Sequence, residues 1–164
     1  MIAGPEIAVF DGVAFSCVGD TCLVVYASPA RIDRTRWLFD RVDEAVADLD
    51  TTLCALMLIL PTSDPPDAVT RAENDRRLRL LRGKLRRLVT VTIGDSFRLN
   101  LVRTMMRGLF LMQRQSQLLS VATSLEEGLR CVHREATKQT HSGTLLGARV
   151  KQMCRMLGHD PESL

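Results

Sequence analysis

Residues 53–60 form an uninterrupted apolar run, Leu-Cys-Ala-Leu-Met-Leu-Ile-Leu, near the middle of the chain. Eight apolar residues are too few to cross a bilayer, and they match the length of a β-strand that is buried on both faces. Three prolines and three small polar residues follow at positions 61–66, so the strand must end abruptly. The pattern predicts a central strand whose carboxyl end opens onto a loop.

Three shorter segments before this run, at 7–10, 14–18 and 22–26, are rich in β-branched and aromatic residues. They are separated by Asp11-Gly12 and Gly19-Asp20, which are typical of two-residue hairpin turns. The pattern predicts an antiparallel meander at the start of the domain. Later in the chain, two further strands are predicted at 89–93 and 118–122.

Helical periodicity occurs between and after these strands. An acidic amphipathic helix follows the meander, and Pro29 or Asp33 is predicted to begin it. An arginine-rich second helix is predicted over residues 67–87, and a third follows the helix cap at residues 94–96. A capping box at Ser124 and Glu127 predicts the start of the fourth helix.

The end of the chain differs in character from the rest. Its last two dozen residues carry one apolar helical stripe, formed by Leu146, Val150, Met153 and Leu157. We therefore divide the sequence into a domain at 1–138 and a C-terminal tail at 139–164 with one short amphipathic helix. Because so small a stripe cannot order itself alone, the tail docks on its own domain, pairs with a partner or stays disordered.

Length and composition predict one ordinary globular domain. The chain has 164 residues, of which 46% are hydrophobic and 25% charged. Its amino terminus shows neither a basic region nor a long apolar stretch, and no run reaches membrane-spanning length. From these features we expect a cytoplasmic location.

Charge is distributed unevenly along the chain. The first 70 residues carry four basic and eleven acidic side chains, whereas residues 71–114 carry twelve basic and three acidic ones. The basic segment predicts a surface for an acidic protein partner, for which the acidic first helix of a second copy is one candidate. The arginines predicted to contact a partner are Arg76, Arg77, Arg79, Arg82, Arg86, Arg103 and Arg107.

Two alternatives to a protein partner stay open for this basic segment. The first is a solvated face with no partner. The second is binding of nucleic acid or another anionic surface through residues 71–114, although the segment lacks interleaved aromatic residues and any known nucleic-acid motif.

The sequence offers no recognisable catalytic set. Cys131 and His133 are two positions apart on a predicted helix and therefore point away from each other. The five cysteines show no zinc-binding spacing, and no residue pattern indicates a lipid cavity. We therefore predict no enzyme activity, no metal and no cofactor.

One pair of cysteines is placed by the predicted hairpin. If Gly19-Asp20 is a two-residue turn, Cys17 lies directly opposite Cys22. Two reduced core thiols are favoured over a redox-active pair, because a cytoplasmic setting keeps thiols reduced.

The order of these elements over residues 5–138 resembles the STAS family, which includes bacterial anti-sigma-factor antagonists. The resemblance implies a single SpoIIAA-like α/β domain with a mixed four- to five-stranded sheet and helices packed on it, followed here by the helical tail. It also implies a non-enzymatic protein–protein interaction module in bacterial signalling or regulation. The implied partner is a kinase, an anti-sigma-like regulator or a second copy of the chain.

The same resemblance implies a phospho-switch after the central strand. In the family this strand ends in an Asp-Ser-Ser/Thr-Gly type motif, and a Ser or Thr at the start of the next helix is phosphorylated by a partner kinase. The matching positions here are Thr62 and Ser63. In this chain the order of Ser and Asp differs, the glycine is absent and two prolines follow.

Overall fold

A computed structural model of the chain describes residues 6–47, 49–61, 63–93, 100, 103–104, 118–135 and 143–163. The strands are β1 (Ala8–Phe10), β2 (Val13–Val18), β3 (Thr21–Tyr26), β4 (Leu53–Ile59), β5 (Leu85–Thr92) and β6 (Leu119–Ala122). The helices are α1 (Ile32–Ala47), α2 (Ala68–Leu80), α3 (Leu125–Glu135) and α4 (Gly143–Met156), and a short 3-10 helix follows at Pro161–Ser163. The helix predicted after residues 94–96 lies almost wholly outside the described residues.

The strands form one mixed sheet in the order β1-β2-β3-β4-β5-β6. β1 to β3 pair antiparallel, and β3 to β6 pair parallel. The α/β fold class is confirmed. The sheet has six strands, one for each segment predicted from the pattern, where the family resemblance implied four or five. The three-residue strand β1 joins it through the turn at Asp11 and Gly12, both of which have positive φ as a type I′ turn requires.

β4 is the central strand that the apolar run predicted, since it lies between β3 and β5. Its side chains alternate between the two faces of the sheet. Cys54, Leu56 and Leu58 pack in the core beneath α3 and α4. Leu53, Ala55 and Met57 face the second core, to which α1 and the end of α2 contribute. Both faces of β4 are therefore covered.

The predicted boundary between the second helix and the next strand was wrong. α2 ends at Leu80, after which Gly83 adopts a positive φ, and β5 begins at Leu85 instead of residue 89. The pairing of β4 with β5 shifts register at this point, so that Leu53 pairs with Leu85 and Cys54 pairs with Arg87. This irregularity puts Leu85 and Leu88 in the same core cluster although they are three residues apart. A spacing of three residues between buried side chains is typical of a helix, so the sequence pattern extended the predicted helix to residue 87.

The start of α1 also differs from the prediction. The helix begins at Ile32, so Pro29 lies outside it and Asp33 belongs to its first turn. An acidic residue in the first turn still favours the helix, because the unpaired N–H groups there carry partial positive charge.

The capping box at the start of α3 is present in a modified form. The Ser124 hydroxyl accepts a hydrogen bond from the Glu127 N–H at 3.2 Å. The Glu127 carboxylate accepts from the N–H of Thr123 at 2.9 Å, one residue before the cap.

The tail helix docks on the domain. α4 packs against β2, β3 and α3, and Leu146, Val150 and Met153 are fully or almost fully buried in the same core as β4. Of the three alternatives for the tail, docking is the one observed. The division of the chain at residues 138 and 139 stays a prediction.

Candidate functional site

The chain makes a tight corner at the end of β4. The Leu60 N–H donates to the carbonyl of Tyr26 at 2.9 Å, and the Ser63 N–H donates to the Leu60 carbonyl at 3.0 Å. The Ser63 hydroxyl then donates to the carbonyl of Ser28 at 2.9 Å. Ser63 is only 4% exposed, so its hydroxyl fastens this loop to the start of the segment that leads to α1. Thr62, the other candidate for the phospho-switch, lies outside the described residues.

α2 begins at Ala68, five residues after Ser63. Asp67 caps the helix, and its carboxylate accepts a hydrogen bond from the Thr70 N–H at 2.7 Å. This backbone hydrogen bond lowers the pKa of Asp67. Pro65 and Pro66 separate Ser63 from the cap, so Ser63 lies outside the first helical turn, where the charge of the helix dipole has its effect.

An apolar cavity of about 140 Å³ lies between the sheet, α1 and α2. Its apolar lining includes Ala55, Met57 and Leu88 from the sheet and Leu38, Val42 and Leu78 from the two helices. Tyr26 also lines it, and burial raises the pKa of this phenol to about 12. No residue pattern in the sequence indicated this cavity, because its walls come from segments that are distant along the chain.

The composition of α2 explains why this cavity exists. Thr70 is the buried residue of the helix, and Leu78 is half-buried, so α2 presents little apolar surface to the sheet. Its close backbone contacts are with α1, whereas the contacts of α1, α3 and α4 include strands. The helix therefore stands away from β4 and β5, and the apolar floor below it is only partly filled.

Ion pairs hold α2 against α1. Arg77 donates to Asp40 and Asp43 of α1 at 3.0 Å each, and to Glu73 of its own helix at 3.2 Å. Glu73 also lies 4.0 Å from Arg36 of α1. Hydrogen bonds from Arg76, together with those from Arg77, lower the pKa of Glu73 to about 2. The acidic first helix and the arginine-rich second helix, which were predicted to complement each other between copies, thus pair within one chain.

Two other arginines of the predicted contact set bind groups inside the protein. Arg86, at the irregularity in β5, donates to Thr51 and Thr52 at 2.9–3.1 Å and approaches Asp20 at 3.5 Å. Arg103 is 9% exposed and donates to the hydroxyl and the carbonyl of Thr92 at 2.6 and 2.8 Å. Their guanidinium groups therefore cross-link strands, loops and the segment after β5.

Three further arginines of the predicted contact set are exposed on and just after α2; they are Arg76, Arg79 and Arg82. Arg107 lies outside the described residues. Two large apolar side chains share the outer surface of α2 with them: Val69 is 66% exposed and Leu80 is 64% exposed. They are the most exposed large hydrophobic residues in the described part of the chain. In the sequence, the signal for this surface is the presence of Val69 and Leu80 among the charged residues of α2.

Cys17 and Cys22 lie opposite each other across the hairpin, as the predicted register requires, with Cα atoms 4.2 Å apart. They form a disulfide, so the favoured interpretation of two reduced thiols was wrong for this structure. The turn places the pair at a non-hydrogen-bonded position, where Cα atoms approach most closely. Cys54, Cys131 and Cys154 are free, and burial raises the pKa of Cys54 and Cys154 to about 11.

No cluster of three or more His, Cys, Asp or Glu side chains suited to a metal ion occurs among the residues that the structure describes. Within the same residues, no helix is both long enough and apolar enough to span a membrane. Cys131 and His133 lie on α3, two positions apart, as the sequence predicted.

A solved structure with a similar fold belongs to an uncharacterised protein of the DUF3478 family from Shewanella loihica PV-4, which has a SpoIIAA-like fold. The two chains superpose with a TM-score of 0.53 at 15% sequence identity, over 79% of this chain and 94% of the other. This chain has a SpoIIAA-like fold. The STAS-like architecture predicted from the order of elements is thereby confirmed.

The SpoIIAA-like likeness shows the fold alone at this level of identity. No family model matches the sequence, and no curated protein matches it.

Proposed function

We propose that this chain is a non-enzymatic protein-interaction module of bacterial signalling, and that its partner docks on the outer surface of α2. The observation that carries the proposal is the pair of exposed apolar side chains, Val69 and Leu80, set among exposed arginines on one helix. Arginine is enriched in protein interfaces, and an exposed apolar patch with a polar rim is typical of them.

The geometry of this surface suits one face of a partner. Val69, Ala72, Arg76 and Leu80 follow one another at spacings of three and four residues, so they form a single stripe along α2. Val69 and Leu80 lie about 16 Å apart along the helix axis. Arg79 and Arg82 flank the far end of the stripe, which favours a partner surface that is apolar at its centre and acidic at its edge.

We restrict the proposed contact to Arg76, Arg79 and Arg82 from the set predicted by sequence. Arg76 pairs with Glu73, and Arg79 donates to the Asp75 carbonyl, but both side chains are exposed. Arg77, Arg86 and Arg103 are largely buried in their contacts with carboxylates, hydroxyls and carbonyls of their own chain. A partner could recruit them only by breaking those contacts, and a charged hydrogen bond of this kind contributes about 1.5–3 kcal/mol.

Ser63 remains the proposed point of control. A phosphate on its hydroxyl would remove the hydrogen bond to Ser28 and place negative charge beside Asp64, just before α2. Because Ser63 is buried, a kinase would reach it only when the loop between β4 and α2 opens. Ser63→Asp should therefore weaken partner capture through α2, whereas Ser63→Ala should leave it nearly unchanged.

The test of the interaction surface is a photo-crosslinker placed at position 72, in the same stripe of α2, of the full-length chain in its own cell. Leu80→Glu should reduce capture of the crosslinked partner at least tenfold, since it puts a carboxylate into the apolar part of the contact. The matched control is Leu145→Glu, because Leu145 is a similarly large side chain, 44% exposed, on α4. Equal loss from both substitutions, or from neither, contradicts the proposed surface.

Nucleic-acid binding gives a different result in a simple assay. If the α2 surface binds a protein partner and not nucleic acid, we expect no gel shift when the chain is mixed with duplex DNA. A shift whose affinity falls steeply with salt, and that is lost on substituting Arg79 and Arg82, would favour the nucleic-acid alternative over a protein partner.

A further inference from the structure

The cavity beneath α2 has walls of two different kinds. Its floor and sides are apolar, with Ala55 and Met57 on β4 and Leu78 on α2. Polar lining residues are supplied by the loop after β4 and by the first two turns of α2, and they are Ser63, Asp64, Arg71, Asn74 and Asp75. The polar groups therefore gather toward the start of the helix, and the apolar surface lies beyond them.

This distribution is that of a site for an amphiphilic molecule. An apolar chain would lie on the sheet, where it replaces contacts that α2 does not make, and a polar end would reach the groups at the start of α2. Ser63 and Asn74 offer hydroxyl and amide groups there. Arg71 adds a guanidinium group, and together with the hydrogen bond from the Thr70 N–H its positive charge lowers the pKa of Asp67 at the start of α2.

The volume limits the size of the chain. Apolar cavities of about 150 Å³ stay dry and bind benzene, which has six carbon atoms. The cavity here is of similar volume, about 140 Å³. It therefore suits a hydrocarbon chain of about six carbons, and a long acyl chain would fit only if α2 moved outward.

The attachment of α2 allows such a molecule to enter. The helix is tied to α1 by ion pairs whose aspartates are more than half exposed, and exposed pairs are weak. α3 and α4, in contrast, are packed on the sheet by fully buried side chains. Outward movement of α2 therefore costs less than movement of either helix on the opposite face.

We propose that the cavity between β4, β5, α1 and α2 binds a short-chain amphiphile, with its chain of about six carbons on Ala55 and Met57 and its polar end at Ser63, Arg71 and Asn74. The site lies on the inner side of α2 and shares only Ser63 with the proposed control of partner binding, so its ligand can be tested on the purified chain without the protein partner.

The experiment titrates the full chain with n-hexanol and follows the thermal midpoint and the binding isotherm by calorimetry. Hexanol should bind saturably and raise the midpoint, because it binds the folded state and not the unfolded chain. Dodecanol, whose chain exceeds the cavity, should bind at least tenfold more weakly per molecule when compared below its solubility limit. Hexanoic acid and hexylamine then show which polar end the groups near Arg71 prefer.

Ala55→Leu tests the location of the site. The larger side chain should fill part of the cavity, raise the midpoint of the free protein and weaken hexanol binding at least tenfold. Ala72→Leu is the matched control, since Ala72 is exposed on the outer side of α2, away from the cavity. This variant should bind hexanol within twofold of the unsubstituted chain. If Ala55→Leu fails to fold, Ala30→Leu makes the same test from another wall of the cavity.

Two results would overturn the proposal. One is the absence of saturable hexanol binding to the unsubstituted chain up to its solubility limit. The other is equal hexanol affinity in Ala55→Leu and Ala72→Leu, because the molecule would then bind elsewhere.

Discussion

Gly128 lets α3 lie directly on the sheet. A Cβ atom at this position would overlap Cγ2 of Val91 and lie 3.4 Å from Cδ1 of Leu56. Both of those side chains are fully buried, so neither can move aside without displacing the core. The close approach of this helix therefore depends on the absence of one methyl group.

We expect Gly128→Ala to reduce the free energy of unfolding by about 1–3 kcal/mol, because overpacking a filled core forces side chains and backbone to shift. Gly143→Ala is the control: a Cβ there meets no atom within 4 Å. That substitution should be neutral or stabilise by up to about 1 kcal/mol, since it reduces the freedom of the unfolded chain. Urea unfolding of the two variants measures the difference, and similar values would show that the contact with Val91 is readily relieved.

Residue-scale predictions from sequence succeeded where the cause was local. The turns at Asp11-Gly12 and Gly19-Asp20 formed as predicted, and the second placed Cys17 opposite Cys22. The bond between these two sulfurs was the less favoured alternative, because the compartment argument concerns the environment of the chain and not the geometry of the pair. Ser63 was placed correctly at the end of the central strand, but its burial depends on Ser28, 35 residues away.

α2 is a helix held mainly by its charges. Its contacts with α1 are ion pairs, and its inner surface contributes few apolar side chains to the sheet. The same helix carries the exposed apolar stripe and covers the cavity. An amphipathic helix in that position would have filled the space and left a polar outer surface, so both proposed functions follow from its unusual pattern.

The pairing of Glu73 makes the attachment of α2 sensitive to acid. The folded pKa of Glu73, about 2, lies below its ordinary value of 4.5. The carboxylate therefore contributes stability that is fully present above pH 4.5 and is lost as the pH falls from 4.5 to about 2. Unfolding by urea between pH 6 and pH 2.5 should show the original chain losing its advantage over Glu73→Gln across this range.

The control for this measurement is Glu44→Gln, which removes an exposed pair with Arg41 within α1. Its difference from the original chain should be small at every pH, because an exposed pair of this kind contributes about 0.3–0.5 kcal/mol. A difference between Glu73→Gln and the original chain that stays constant down to pH 2.5 would contradict the role assigned to Glu73.

The whole molecule is a sheet covered on both faces by different means. α3 and α4 cover one face with side chains that are buried completely, and α4 comes from the segment assigned to the tail by sequence. α1 and α2 cover part of the other face and leave the cavity. Both faces have a buried core, but the face of α1 and α2 is less completely filled, so it is the one available for binding.

Met153→Ala tests how much the docking of α4 on the sheet contributes to the free energy of unfolding. Met153 is fully buried against the sheet, and its truncation should reduce the free energy of unfolding by about 2–5 kcal/mol. Met156 lies one turn further along α4 and is 52% exposed, so Met156→Ala should stay within about 0.5 kcal/mol of the original chain. Thermal and urea unfolding give both values, and a small effect of Met153→Ala would mean that α4 docks only weakly.

The sequence by itself determined the class of fold and the position of the central strand. Period-two and period-3.6 patterns, turn residues and a helix cap act over a few positions, so β4, the two hairpins and α3 could be predicted from neighbouring residues. Leu85 and Leu88 mark the limit of that approach, because an irregularity in strand pairing gave them the spacing of a helix.

Only the tertiary structure decided which charged side chains pair within the chain and where the cavity lies. Arg77 faces Asp40 and Asp43 across two helices, and Arg86 reaches back to residues that precede β4, so neither is available as a simple surface charge. The cavity likewise arises because α2 and the sheet are brought together by contacts that are distant in sequence. Long-range packing sets which side chains remain exposed and which gaps remain unfilled, and local pattern carries no information about either.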